Sequence, residues 1–210
     1  MLDDLTNLQA LLKDSTLLAT KGYIAGEWCD GENGQTFPVY NPARGDVITD
    51  VADISRTQAA EAIAVAEKAQ KLWAARPAKE RSNLLRNWYN LMMENQEDLA
   101  TILTAEQGKP IEEAKGEIAY GASFIEFFAE EAKRVYGETI PGHQSDKRIT
   151  VLKQPVGVAA SITPWNFPNA MITRKAGPAL AAGCAFIARP AAETPLSALA
   201  MGCLLYTSDA

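Results

Sequence analysis

Positive charge, histidine, cysteine and long apolar runs are all scarce in this sequence. Lysine and arginine total 20 against 26 aspartates and glutamates, a net charge of -6. A nucleic-acid partner would call for a basic face, so that class is disfavoured. The single histidine, His143, follows Pro141-Gly142 with no cysteine beside it, which leaves little support for Cys–His catalysis. Cys29, Cys184 and Cys203 have no paired spacing, which argues against a disulfide framework or a zinc site, and no metal is expected. No apolar run reaches the length of a membrane span. The stretch 1–20 is leucine-rich but carries Asp3, Asp4 and Asp14 and no arginine, unlike a secretory or transit peptide. The expectation is a soluble cytoplasmic protein. Gly177 to Gly183 is not a phosphate loop, because no Lys-Ser or Lys-Thr follows it.

What is present is apolar material with clear punctuation. Hydrophobic residues make up 47% of 210 residues, enough for one large or two small domains. Residues 1–16 read as a short amphipathic helix or loose tail. Short strands are expected at 23–28 and 36–40, then a turn cluster at 41–46, with Cys29 in a hairpin tip. Ser55 or Thr57 can cap a helix that runs to Arg76 and stops at Pro77. A second helix spans about 79–94, with Leu84, Leu85, Trp88, Leu91 and Met92 at helical spacing. A third covers 96–107, ended by Gly108, and Pro110 opens a fourth that runs to Tyr136. The fourth turns Ile111, Ala114, Ile118, Ile125, Phe128 and Ala132 inward. Glu112-Glu113 and Glu130-Glu131 read as solvated helix charge. Residues 148–153 alternate like an exposed strand.

The richest stretch is Ile162-Thr163-Pro164-Trp165-Asn166-Phe167-Pro168. A helical segment follows, from Asn169 to Leu180, then a glycine stop and a second apolar run ending at Arg189-Pro190. Strand, polar loop, helix, glycine and strand spell a βαβ unit, the start of a doubly wound nucleotide-binding sheet. Ligands in such sheets sit at the carboxyl ends of the strands. Asn166 stands there as a neutral amide donor, suited to a developing oxyanion, although Asn before an aromatic and Pro also suits a plain turn. Cys184 lies in a buried-strand pattern and reads as core.

These segments resemble the amino-terminal part of an aldehyde dehydrogenase, closest to the succinate-semialdehyde branch and related to glutarate-semialdehyde enzymes. The resemblance rests on Pro164 to Pro168, on Ala170 to Cys184, on Glu106-Gln107-Gly108-Lys109-Pro110, on Asn87 to Met93 and on Ile140 to Gln144. It covers roughly residues 17–200. It implies an α/β fold in which helices precede an incomplete doubly wound nucleotide-binding sheet, with a small β arm. The implied division is a tail at 1–16, a helical part of the cofactor-binding domain at 17–137, an oligomerisation arm at 138–158 and the start of the Rossmann-like sheet at 159–201. Residues 202–210 do not continue the family's amphipathic helix and read as a foreign tail on a truncated or misassembled frame.

The resemblance also implies roles. Asn166, with a backbone N–H, would hold the oxygen of a thiohemiacetal. Ile162, Thr163, Pro164, Trp165 and Asn166 would lie along the cofactor, NAD or NADP. Arg189 replaces the lysine usual at the adenosine ribose, which leaves cofactor detail open. Ala192 stands where NAD-preferring members often carry glutamate, with Glu193 displaced by one, so NADP is tolerated. Arg174 would clamp the carboxylate of succinate semialdehyde, a task that suits a guanidinium fork, although a solvated helix arginine is the plain alternative. Phe167 and Met171 either line the substrate channel or fill core.

The nucleophilic cysteine, the general base and the pyrophosphate loop of the family fall beyond this chain. The expected function is therefore NAD(P)-dependent oxidation of succinate semialdehyde in a full-length parent, a homo-oligomer through the arm, with this chain inactive alone. A glutarate-type or other aldehyde substrate is one alternative. A non-catalytic assembly partner or an inert product is another.

Overall fold

The computed structural model describes residues 8–208. A one-turn helix α1 (Leu8–Leu11) leads into two small antiparallel ribbons. β1 (Gly22–Ile24) pairs with β2 (Glu27–Cys29), and β3 (Thr36–Tyr40) with β4 (Val47–Ala52). Four helices follow: α2 (Arg56–Ala75), α3 (Ala78–Glu94), α4 (Gln96–Gln107) and α5 (Ile111–Glu131). An exposed hairpin of β5 (Glu138–Pro141) and β6 (Arg148–Val151) comes next. The chain then enters β7 (Val158–Ile162), α6 (Ala170–Ala181), β8 (Ala185–Arg189) and α7 (Pro195–Ser208). β7 and β8 are parallel, in register from Val158 opposite Ala185 to Ile162 opposite Arg189. The expected α/β architecture is present, with four two-stranded sheets and a helical core among the described residues.

Local signals explain most helix boundaries. Ser55 caps α2 with a full capping box: its hydroxyl accepts from Gln58 N, and Gln58 Oε1 accepts from Ser55 N. Pro77 and Pro110 sit immediately before α3 and α5. Gly108 ends α4 in the left-handed region at φ 83°, where its N–H donates to Thr104 O at 3.0 Å. The core lies between α3, α4, α5, α6 and α7, with Leu85, Met92, Leu103, Ile118, Ile125, Ile172 and Met201 buried.

Helix α6 is tied down at both ends. Its last carbonyls accept side-chain donors from α2 and α3: Trp73 Nε1 to Leu180 O at 2.9 Å and Arg81 Nε to Ala181 O at 3.2 Å. Gln70 Nε2 reaches Gly183 O just beyond. At the front, α5 crosses so closely that a Cβ on Gly121 would lie 2.6 Å from Asn169 Oδ1. The helix that follows the candidate oxyanion loop is thus fixed by three other helices.

Five sequence expectations need correction. β4 was not expected; it exists because Val47–Ala52 pairs with β3, and Val51 and Ala52 are buried. Cys29 is the last residue of β2, opposite Gly22, while the turn itself is Ala25-Gly26. α5 stops at Glu131 and a single 3-10 turn, Ala132–Arg134, replaces its last expected turns. The arm boundary at 158 cuts the first residue of β7. α7 does not break at 201: it runs to Ser208, burying Met201 and Leu204, and Trp88 Nε1 donates to Met201 O at 3.2 Å. Of the expected tail at 1–16, residues 1–7 lie outside the described residues, as do 209 and 210 at the other end. The rest packs: Leu8 and Leu12 are buried, and Asp98 accepts from Lys13 N and Asp14 N.

Candidate active site

The loop 163–169 leaves the carboxyl end of β7 and delivers the chain to α6. Thr163 N donates to Arg189 O at 3.2 Å, so the pairing with the end of β8 extends one residue past β7 before the loop departs. From there Pro164, Trp165, Asn166 and Phe167 are exposed, while Pro168, Asn169 and Ala170 are buried. Ile162 is 75% and Trp165 54% exposed, a large apolar surface at a strand end. Arg189 and Ala192 are exposed beside it, and so is Glu193. The structure therefore groups Ile162, Thr163 and Arg189 on one edge, with Ala192 in the turn that follows.

Phe167 O accepts from Met171 N at 2.9 Å, which sets Phe167 and Met171 one helical turn apart. Phe167 is exposed and Met171 half-buried, so neither is plain core filling. Arg174 lies on the next turn. Its Nη1 is 3.8 Å from Met171 Sδ, and its guanidinium carbon is 5.4 Å from the centroid of the Phe124 ring on α5. Nothing among the described residues neutralises it.

The cysteines are not arranged for nucleophilic attack. Cys184 is buried. Burial and the charge of Asp14 push the Cys203 thiol up to about 11, away from the thiolate needed for reactivity. Cys29 Sγ donates to Gly22 O at 3.4 Å within its own ribbon.

Residues 28–209 match the aldehyde dehydrogenase family. The chain belongs to that family. It is 63% identical over 190 residues to the glutarate-semialdehyde dehydrogenase of Pseudomonas putida KT2440, covering 90% of this chain and 40% of that protein. It is 60% identical to the NADP(+) succinate-semialdehyde dehydrogenase of Escherichia coli K12, covering 90% and 39%. Among solved structures, an E. coli NADP-dependent enzyme superposes with a TM-score of 0.93 at 58% identity, covering 94% of this chain and 41% of the other. The chain thus spans about two fifths of the length of the curated relatives it matches.

In this aldehyde dehydrogenase chain, two buried acids cap helices from far away in sequence, a role that the sequence expectations do not include. Glu117 on α5 accepts from Asn169 N at 3.0 Å and Ala170 N at 3.3 Å, the first free donors of α6. Its other oxygen pairs with Lys109 Nζ at 2.5 Å. Glu106 does the same for α7, accepting from Leu196 N and Ser197 N, each at 2.7 Å. Burial raises the Glu106 carboxyl from 4.5 to about 7; the hydrogen bonds from Ser197 and Leu196 oppose this, and the charge of Glu117 adds to it. Glu106 and Lys109 both lie in the Glu-Gln-Gly-Lys-Pro run quoted above. The available signal was a run of polar residues at a helix exit with no local partner for its charges.

Proposed function

We propose that this chain supplies the oxyanion donor, the distal-anion clamp and the first cofactor contacts of an NAD(P)-dependent semialdehyde dehydrogenase, with succinate semialdehyde as substrate. The observation that carries the reading is the placement of an exposed neutral amide, Asn166, and an exposed guanidinium, Arg174, on the loop and helix that follow one parallel strand. An aldehyde becomes an alkoxide-like centre under nucleophilic attack, and a fixed amide N–H lowers the energy of that charge. The Arg174 fork then suits a carboxylate at the far end of the same molecule. Phe167 and Met171, between them in sequence, offer apolar wall to the methylene chain.

The strand ends fit the adenosine side of a nicotinamide dinucleotide. Ile162 and Arg189 end two parallel strands side by side and both face solvent. Ile162, Thr163, Pro164, Trp165 and Asn166 would flank the cofactor, and Arg189 would offer it a cation. Ala192 places no acid against a 2′-phosphate, in keeping with the NADP in the name of the E. coli relative. The cofactor, when bound, supplies the hydride acceptor.

None of the three thiols has a reactive setting, so the 210-residue chain is inactive alone, and the nucleophile belongs to the longer enzyme. Glutarate semialdehyde is the second substrate reading, favoured by the 63% identity to the Pseudomonas enzyme. The β5–β6 hairpin is exposed along both strands, which supports its use as an arm to a second subunit. No helix among the described residues is long and apolar enough to cross a membrane. Cytoplasmic location remains part of this proposal.

The test uses a hybrid enzyme in which residues 17–200 of this chain replace the matching part of the Pseudomonas putida enzyme. Asn166→Ala should lower kcat by roughly 100- to 1000-fold with KM little changed, as for loss of one oxyanion donor. Unchanged kcat would remove Asn166 from the site.

A further inference from the structure

We infer that Lys109 and Glu117 are positioning residues for the oxyanion amide: an ion pair shielded from solvent, carried by α5 and the turn before it, that fixes the Asn166 carbonyl and the backbone that follows it. The inference rests on the reading of Asn166 as the oxyanion donor. The Lys109 ammonium makes three contacts at once. It pairs with Glu117 Oε2 at 2.5 Å, donates to Asn166 O at 3.2 Å, and lies 4.1 Å from the centroid of the Phe167 ring. The other Glu117 oxygen accepts from Asn169 N and Ala170 N. One carboxylate and one ammonium therefore bind the residue before Phe167, the Phe167 ring itself and the first turn of α6.

Burial makes the pair stiff. The side chains of Glu117 and Lys109 are 1% and 11% exposed, so water competes only weakly for either partner. Gly108, in the left-handed region, turns the chain out of α4 immediately before Lys109, and a Cβ there would come within 2.9 Å of Pro42 Cγ. The Asn166 amide stands on an exposed loop with no helix of its own. Its direction is set by the peptide that Lys109 holds. A donor displaced by about 1 Å can lose most of its effect on a transition state.

A cleft of about 330 Å³ borders the pair, lined by Lys109, Glu113, Gly116, Glu117, Tyr120 and Phe167. This opening permits chemical rescue. The experiment uses the hybrid enzyme with Lys109→Met, Lys109→Ala, Glu117→Gln, the double variant Lys109→Met/Glu117→Gln, and Asn166→Ala as reference. Lys109→Met should lower kcat roughly 10- to 100-fold for succinate semialdehyde and for an uncharged aldehyde alike, with KM within about twofold. The double variant, which leaves no buried charge unpaired, should regain thermal stability and remain slow. Ethylammonium should restore part of the kcat of Lys109→Ala and none of that of Asn166→Ala.

A double variant that regains both stability and kcat, or single variants that melt earlier at full kcat, would make the pair a structural strut and overturn the inference. Failure of every Lys109 and Glu117 variant, the double one included, to yield soluble enzyme would do the same. If Asn166→Ala itself keeps full kcat, the reading of the loop fails first, and the two failures are told apart.

Discussion

Replacing Arg174 tests substrate choice most directly. The guanidinium is exposed on α6 and, among the described residues, lies against Met171 Sδ and the face of Phe124, neither of which carries charge. Arg174→Ala therefore leaves no buried partner stranded, and its cost should appear in catalysis rather than in folding. A charge-assisted, two-pronged contact to a substrate carboxylate is worth about 2–3 kcal/mol, or roughly 30- to 150-fold in kcat/KM. An aldehyde of equal length without the carboxylate gives the guanidinium nothing to hold, so its kcat/KM should change by less than about twofold. Arg174→Lys should fall between, since it keeps the charge and loses the fork. The assay is NADPH formation by the hybrid enzyme with succinate semialdehyde, glutarate semialdehyde and butyraldehyde, each over a full concentration range. The ratio between glutarate and succinate losses also reports which chain length brings the carboxylate to the arginine. Equal losses for charged and uncharged aldehydes would refute the clamp and return Arg174 to an ordinary helix residue.

Further outcomes follow from other residues. Glu106 should make stability fall with rising pH: its folded-state carboxyl sits at about 7 against an ordinary 4.5. Its contribution is then whole below about pH 4.5 and is lost as pH rises through about 7, a change of about 3 kcal/mol. Urea midpoints of the hybrid enzyme at about pH 5 and about pH 8.5 should diverge for wild type and converge for Glu106→Gln; an identical pH response in both would contradict this. Gly121→Ala should cost about 1–3 kcal/mol, because the new methyl meets Asn169 Oδ1 at 2.6 Å and the Ala170 backbone at 3.3 Å. An unshifted melting temperature would mean that α5 and α6 can separate cheaply. The 210-residue chain should form no NAD(P)H with succinate semialdehyde, and turnover lost on Cys184→Ala would overturn that expectation. The same chain should self-associate, since β7 and β8 pair only with each other among the described residues and each keeps an open edge. A monodisperse monomer with a cooperative melt would argue for a self-sufficient domain.

The sequence by itself determined the features whose causes lie within a few residues. α4 has the expected limits because Gly108 and Pro110 punctuate its exit and the start of α5. Ser55 starts α2 because its hydroxyl and Gln58 close a ring of two hydrogen bonds. The order strand, loop, helix, glycine, strand was legible from 159 to 189, and with it the elements that carry Asn166 and Arg174. Only the tertiary structure decided the rest. β4 has weak alternation of its own and becomes a strand through its partner β3. α7 continues past 201 because α3 and the segment after α1 cover its inner face, with Trp88 and Thr16 supplying contacts from far away in sequence. Glu106 and Glu117 look like ordinary helix acids, yet their partners are 90 and 52 residues distant. Capping and periodicity act over one helical turn and are written locally. Burial of a charge, and the donors that make it tolerable, exist only once distant elements have packed.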